Sequence, residues 1–351
     1  MTSTSLIHTV RRYRTLQSDV ISALPIVILM PHSACNCRCV MCDIWKDNHH
    51  LRQLNGEDLR GLLDSFRKWG TRQVVMSGGE ALLNPNFFQF CEILAKEQIQ
   101  ISLLTTGILL KKHAHRLAQW VGDVIVSLDG DPLTHDYIRN LPGTFDKLRE
   151  GIERLHAIDP AFPVSGRSVI HRLNFRVWPR IVDTAKDLGL SSISFLPADV
   201  SSHAFNRETL WDESRQHEIL PAEEDLPELQ ATIDGLKLTY AAYFDNHFIA
   251  ETREKIQQIH EFYAAWYGQN PFPFKRCNAP WVSTVVEADG TIRPCFFHPA
   301  LGNIHKNTLP EILNGPEALA FRKGLDVQSD SICQKCVCSL HLGPRTNPAR
   351  R

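Results

Sequence analysis

Of the ten cysteines in this 351-residue sequence, four lie between Cys35 and Cys42, five lie between Cys277 and Cys338, and Cys91 stands apart. In the first group Cys35, Cys39 and Cys42 have the spacing C-x3-C-x2-C. Three thiolates on one short loop can bind three irons of a four-iron cluster. A fully protein-ligated cluster needs four, so the missing thiolate leaves one iron open to a small molecule, as an unfilled position on catalytic zinc admits water or substrate. Structural zinc is the competing use of these sulfurs, but such sites usually pair C-x2-C knuckles. Cys37 adds a fourth sulfur to the loop and reads as a non-ligand.

In the second group, twelve residues separate Cys277 from Gly290 and four more precede Cys295. The pattern predicts a hairpin, with Val282–Glu287 paired to Thr291–Pro294 across Asp289-Gly290, which brings Cys277 near Cys295. Cys333-Gln-Lys-Cys336 is a C-x2-C knuckle that completes four thiolates. On spacing alone these four could equally hold zinc. Cys338 is spare and reads as a buried thiol. Cys91, beside Phe88 and Ile93 on a predicted helix, reads as core.

The elements that must position these groups follow from periodicity. Strands are predicted at Ile26–Met30, Gln73–Met76, Ile99–Leu104, Asp123–Leu128, Val164–Ile170 and Ser192–Leu196. Leu59, Leu62, Leu63 and Phe66 make one apolar stripe on a helix starting near Gly56. Further helices are expected at Pro85–Glu97, Lys111–Val121, Thr144–His156 and Trp178–Leu188. Six strand–helix repeats imply an α/β fold with a parallel sheet, either partly closed into a barrel or open and doubly wound. Ligands would gather at the C-terminal strand ends in both cases. From Ser201 to about Lys275 the chain reads as charged and helical, with Leu226, Leu229, Ile233 and Leu236 on one face.

Apolar residues make up 43% of the chain, enough for one core of roughly 200 residues and an appended module. A net charge of −1, with no long run of one sign, gives no reason to expect nucleic acid or a membrane as partner. The apolar run from Val20 to Met30 is interrupted by Ser22 and Pro25 and is too short to span a bilayer. Arg11, Arg12 and Arg14 precede a short mixed stretch rather than a secretion signal. The expectation is a cytoplasmic protein, where clustered cysteines point to metal rather than disulfides.

With Pro31-His-Ser-Ala-Cys-Asn-Cys-Arg-Cys-Val-Met-Cys42 following the first strand, the sequence resembles the radical S-adenosylmethionine (SAM) superfamily. The resemblance implies that the open iron of a [4Fe–4S] cluster holds the amino and carboxylate groups of SAM. The reduced cluster then yields a 5′-deoxyadenosyl radical that takes a hydrogen atom from substrate. Met41 stands where the family usually has an aromatic residue near the adenine. Ser77-Gly78-Gly79-Glu80 looks like the family's Gly-Gly-Glu turn, in which the glycines let backbone approach the ligand and Glu80 accepts from the SAM ammonium. The third strand ends in Thr105-Thr-Gly107, where the family commonly has Thr-Asn-Gly. Ser127 and Asp129, in Ser127-Leu-Asp-Gly130 ahead of His135-Asp-Tyr-Ile-Arg139, could reach the SAM ribose or substrate, with structural capping as the alternative. Asn174 is a further candidate contact.

The stretch Asp289-Gly-Thr-Ile-Arg-Pro-Cys295, with Leu301-Gly-Asn-Ile304 and Leu309-Pro-Glu-Ile312, is similar to the SPASM/Twitch auxiliary-cluster domain. It implies one auxiliary [4Fe–4S] cluster on Cys277, Cys295, Cys333 and Cys336. The expected architecture is a partial (β/α)6 TIM-like barrel with a small C-terminal β-hairpin and helix cluster-binding domain. Its units are a 1–24 extension, a 25–200 core, a 201–275 helical linker and a 276–351 module. Relatives of this kind include dehydrogenases of sugar-like alcohols and enzymes that modify ribosomally made peptides, fed by an electron donor such as flavodoxin or ferredoxin. About 24 residues precede the first strand, too few for a leader-binding domain, which favours oxidation of a small molecule over peptide maturation. A redox-neutral epimerase is a further alternative, and a non-enzymatic electron carrier leaves the Gly-Gly-Glu turn unexplained. His203, Asn206 and Asp212 read as solvated surface, and no residue declares itself a general base.

Overall fold

Six parallel strands carry the fold: β1 (Ile26–Leu29), β2 (Gln73–Met76), β3 (Gln100–Thr105), β4 (Asp123–Ser127), β5 (Val164–Ile170) and β6 (Ile193–Pro197). They pair in sequence order in a computed structural model that describes residues 6–207 and 209–346. The first five residues of the expected 1–24 extension and the last five of the 276–351 module lie outside the described residues. Four strands differ from the sequence expectation by one residue: β3 and β6 are displaced toward the C-terminus, and β1 and β4 end one residue early.

Each strand is followed by helix, as its periodicity requires. The helices of this part are α1 (Leu6–Ser18), α2 (Gly56–Trp69), α3 (Phe87–Lys96), α4 (Leu110–Trp120), α5 (Pro132–Arg139), α6 (Thr144–Ile158) and α7 (Trp178–Asp187). The stripe Leu59, Leu62, Leu63 and Phe66 is buried against the sheet. Asn55 caps α2 in a reciprocal capping box with Asp58, satisfying the orphan N–H groups of its first turn. Cys91 is fully buried in α3, in the core as expected. Leu226, Leu229, Ile233 and Leu236 are buried on the helix Leu226–Thr239, which packs on the helix Arg253–Trp266.

The predicted hairpin is present as β7 (Ser283–Val286) and β8 (Thr291–Arg293), antiparallel with Val286 opposite Ile292, and β9 (Gly302–Asn303) adds to it. The sequence did not indicate where this hairpin attaches. β7 lies parallel to β1, with Ile26 opposite Ser283 and Leu29 opposite Val286, so one nine-stranded sheet runs β6-β5-β4-β3-β2-β1-β7-β8-β9. All four β7 residues are buried, the mark of a strand covered on both faces. The barrel therefore stays partial. At its far edge Ile193 of β6 forms a parallel bridge with Ile249.

Two helices of the strand–helix part were not foreseen. The apolar residues of α1 at helical spacing, Leu6, Val10 and Tyr13, are exposed, and what the helix buries is polar: Arg12 and Thr15. Arg12 donates to the carbonyls of Gly343 and Thr346, and Thr15 Oγ1 accepts from Ser22 N and Ala23 N at 2.9 and 3.1 Å. α5 is only eight residues long, yet its start is signed by Asp131 capping Thr134 N with Pro132 in the first turn. Among the described residues no helix is long and apolar enough to cross a membrane.

Candidate active site

The loop after β1 carries Cys35, Cys37, Cys39 and Cys42, and its shape is fixed by backbone partners outside it. The Asn48 carboxamide donates to Cys35 O and accepts from Cys35 N, at 2.8 and 3.0 Å. Glu80 N donates to Ala34 O at 2.9 Å, and the Arg38 and Val40 N–H groups donate to the Arg139 and Ile138 carbonyls at the end of α5. Every cysteine of the chain is a free thiol, so no disulfide framework exists.

Burial pushes the Cys35 thiol up to about 12 and raises Cys42 as well, and both feel the charge of Cys39. Cys39 is held below the ordinary thiol value, first by a hydrogen bond from the Cys37 thiol and further by Arg139. Crowded, buried sulfurs whose ionisation is penalised are stable as thiolates once a metal shares their charge. The donor set fits an iron–sulfur cluster.

Glu80 follows β2 by way of Ser77-Gly78-Gly79. Gly78 adopts φ +108°, and a Cβ on Gly79 would lie 2.2 Å from Ala34 O, so the turn can lie against the cysteine loop only as glycine. Glu80 itself is fully buried. Its carboxylate accepts from Leu82 N (3.1 Å), Thr105 Oγ1 (2.8 Å), Thr106 N (2.9 Å) and Thr106 Oγ1 (2.7 Å). Burial outweighs these donors and holds its pKa above the usual carboxylate value. The Thr105-Thr106 pair at the end of β3 thus serves to orient this acid. Thr106 Oγ1 also lies 2.9 Å from Asn36 Oδ1 of the cysteine loop, tying the β3 end to that loop.

The other sequence candidates divide. Met41 is half-buried in the cysteine loop, and its carbonyl faces the Arg207 guanidinium at 3.5 Å. Ser127 ends β4 half-buried, opposite Arg167. Asp129 is fully buried, pairs with Arg139 and accepts from Val169 N at 3.2 Å, so its carboxylate faces a guanidinium rather than an open mouth. Asn174 spends its carboxamide on backbone, donating to the Asp129 and Val169 carbonyls at 3.1 and 3.0 Å and accepting from His171 N at 2.8 Å. Its place in the geometry is to join the β4 and β5 ends, leaving no amide hydrogen for a ligand.

The second thiol set gathers at the hairpin. Burial raises Cys295 to about 11 and lifts Cys333 and Cys336 above the ordinary thiol value. Cys277 repels Cys295 and Cys333 electrostatically, so the four expected ligands converge. Cys338 joins them: the residue is exposed, but its thiol is turned inward, raised by burial and within reach of the Cys277 charge. Asp330 orders the knuckle by accepting from Ile332 N and Cys333 N at 3.0 and 2.8 Å. His298 Nε2 lies 3.3 Å from Cys333 Sγ. The mutual crowding of these sulfurs makes this donor set, too, fit an iron–sulfur cluster.

A cavity of about 430 Å³ lies between the strand ends and the hairpin. Met30, Gly78 and Gly79 line it from the core, Glu287, Asp289 and Phe296 from the hairpin side, and His203, Phe205, Asn206 and Arg207 from the loop after β6. His203 and Asn206 are exposed, as read from sequence, and also border this cavity. Asp212 does not: it caps the short helix Glu213–His217 through Arg215 N. The missed signal was slight, since the loop has no periodicity, although Phe205 and Asn206 both adopt positive φ, a conformation that folded chains keep near functional sites.

Comparison with known proteins now bears on this geometry. The model of the radical SAM superfamily matches residues 29–172, and that of the SPASM iron–sulfur cluster-binding domain matches residues 277–337. The chain belongs to the radical SAM superfamily. This radical SAM enzyme takes a [4Fe–4S] cluster with SAM, and its SPASM domain takes auxiliary iron–sulfur. Among its relatives, an AdoMet-dependent heme synthase of Methanosarcina barkeri is 27% identical over 88% of this chain and 88% of its own. The subtilosin biosynthesis protein AlbA of Bacillus subtilis is 23% identical over 87% of this chain, which spans 62% of that relative's length. The solved structure of native anSMEcpe with bound AdoMet and Cp18Cys peptide shares the fold, with a TM-score of 0.64 at 19% identity, covering 90% of this chain and 86% of that one.

Proposed function

We propose that this radical SAM enzyme oxidises a small, hydroxyl-bearing molecule by two electrons, the class that includes sugar-like alcohols. Cys35, Cys39 and Cys42 would hold the SAM-binding cluster, and Cys277, Cys295, Cys333 and Cys336 the auxiliary one. When bound, the first cluster with SAM supplies a hydrogen-abstracting radical and the second an electron acceptor. The observation that carries the reading is a cavity reaching residues next to both sulfur sets: Gly79 packs on Ala34 beside Cys35, and Phe296 follows Cys295. Its volume is that of a small-molecule pocket, and Asp47, Arg52, Glu287 and Arg293 supply donors and acceptors for hydroxyls. The heme synthase, matched along most of both chains, supports a small-molecule substrate. The bacteriocin biosynthesis relative supports a second reading, modification of a peptide.

The reading is tested with anaerobically reconstituted protein, SAM and candidate alcohols in deuterated water. A product lighter by two hydrogens, at one SAM consumed per turnover, supports oxidation. Solvent deuterium gained without that loss would mean epimerisation, and acceleration by a peptide alone would favour the second reading.

Glu80 would meet the SAM ammonium as a charged acceptor. Glu80→Ala is expected to weaken SAM binding by about ten- to hundredfold, the worth of one hydrogen bond to a charged group. Because burial holds the Glu80 pKa above the carboxylate norm, affinity should fall on acidification sooner than for an ordinary glutamate. Protonation removes the charge the ammonium needs. Glu80→Gln should flatten that dependence, and equilibrium binding across pH measures both.

Gly79→Ala is a separate expectation. The new Cβ meets Ala34 backbone at 2.2 Å, so the cysteine loop must move, at a cost of about 1–3 kcal/mol. Iron retained at the first site should drop while iron at the auxiliary site stays. A variant with wild-type iron and wild-type SAM affinity would refute the close-approach role of this glycine.

A further inference from the structure

Arg139 belongs to no cysteine motif, yet its side chain turns from the end of α5 onto the cluster loop. Its Nη1 lies 3.4 Å from Cys39 Sγ, while Nη2 pairs with the Asp129 carboxylate. The pair is dry: the Arg139 side chain is 8% exposed and that of Asp129 0%. The backbone of the same helix end holds the residues on either side of Cys39, through Arg38 N to Arg139 O at 3.1 Å and Val40 N to Ile138 O at 3.0 Å. Guanidinium and sulfur are therefore fixed relative to each other by side chain and main chain together.

The charge balance around this contact is simple. A buried guanidinium is costly unless paired, and Asp129 supplies the pair, itself steadied by Val169 N. His135 and His171 are also buried here; burial drives both pKa values down to about 3, with Arg139 pushing the same way, so both are neutral. One cation and one anion remain, and only the cation touches sulfur.

We propose that Arg139 is a positioning residue that sets the reduction potential of the SAM-binding cluster, by donating to the Cys39 sulfur while Asp129 offsets part of its charge. Hydrogen bonds to cluster sulfurs and net local charge are the recognised determinants of such potentials. Reduction adds a negative charge, which a nearby cation favours and a nearby anion opposes. Removing Arg139 therefore makes the cluster harder to reduce, and neutralising Asp129 makes it easier. The inference rests on Cys39 being a cluster ligand.

The test is a redox titration of the reconstituted full chain, following the electron paramagnetic resonance signal that changes when SAM is added. For Arg139→Met the ratio of reduced to oxidised cluster at fixed potential should fall about tenfold, which for a one-electron couple is about 59 mV. For Asp129→Asn, nearly isosteric, the ratio should rise. A purely structural role would lower iron content in both variants without moving the midpoints in opposite senses. With first-site iron retained, midpoints that match wild type or move in the same sense overturn the proposal. Should Arg139→Met lose its iron, Asp129→Asn decides alone, and an unshifted titration overturns the proposal. A Cys39→Ala protein that keeps a full first cluster would instead show that the ligand assignment is at fault.

Discussion

Alanine at Cys35, Cys39 and Cys42 together is expected to leave about half of the roughly eight irons of a reconstituted two-cluster chain and to abolish release of 5′-deoxyadenosine from SAM. The two sulfur sets are built on different elements, one on the loop after β1 and the other on the hairpin and the knuckle ordered by Asp330. Losing one should spare the other. The three thiols lie in a loop whose outline is set by Asn48, Glu80 N and the end of α5, none of which depends on sulfur. The fold should therefore survive, as circular dichroism can show. Iron assay and chromatography of the nucleoside products measure the effect. SAM cleavage persisting in the triple variant would mean that the pocket has been placed at the wrong sulfurs.

The second large effect is expected of Cys333→Ala combined with Cys336→Ala. This protein should still cleave SAM but form no oxidised product. Cys333 lies within the short helix Ser331–Lys335 and Cys336 caps its end, the N–H of Cys336 returning to Cys333 O at 3.2 Å, so both sulfurs come from one turn. Lys275, whose pKa burial lowers against the pull of Cys336, Cys333 and Cys277, donates to the Cys333 carbonyl at 3.4 Å and helps keep the turn in place. Cys338 is near enough to stand in for Cys336, since Cys336 feels its charge, and a single Cys336→Ala variant should therefore lose less iron than the double one. Full product yield with the auxiliary iron shown to be absent would remove that site from the reaction.

Much of this was legible before any coordinates. The stripe at Leu59, Leu62, Leu63 and Phe66 and the apolar runs of the strands record burial directly, because burial selects side chains at the period of the element. The cysteine spacings and the Gly-Gly-Glu turn were equally plain, since a ligand set on one loop needs its residues close in sequence. What stayed hidden depends on contacts distant in sequence. Arg139 closes the His135–Arg139 stretch noted in the sequence, but its sulfur partner is invisible until α5 is laid against the cysteine loop. His203 and Asn206 are exposed, and only the fold shows that they border the cavity shared with the hairpin. Asp129 and Asn174 were expected as ligand contacts, and their partners here, a guanidinium and backbone carbonyls, could not be known from position alone.

The pairing of β1 with β7 bears on how the chain comes to be made. Ile26 emerges early and its partner Ser283 only after most of the polypeptide. Until then β1 presents one row of unsatisfied N–H and C=O groups, the kind of open border that other chains can add to. The same late segment delivers Trp281, which donates to Asp19 at 2.7 Å, and Asn314, whose carboxamide exchanges two hydrogen bonds with Ile21 just ahead of β1. Nascent chains stalled before residue 283 should accordingly aggregate and be readily cleaved by protease near β1, and they should become resistant only when the hairpin has been translated.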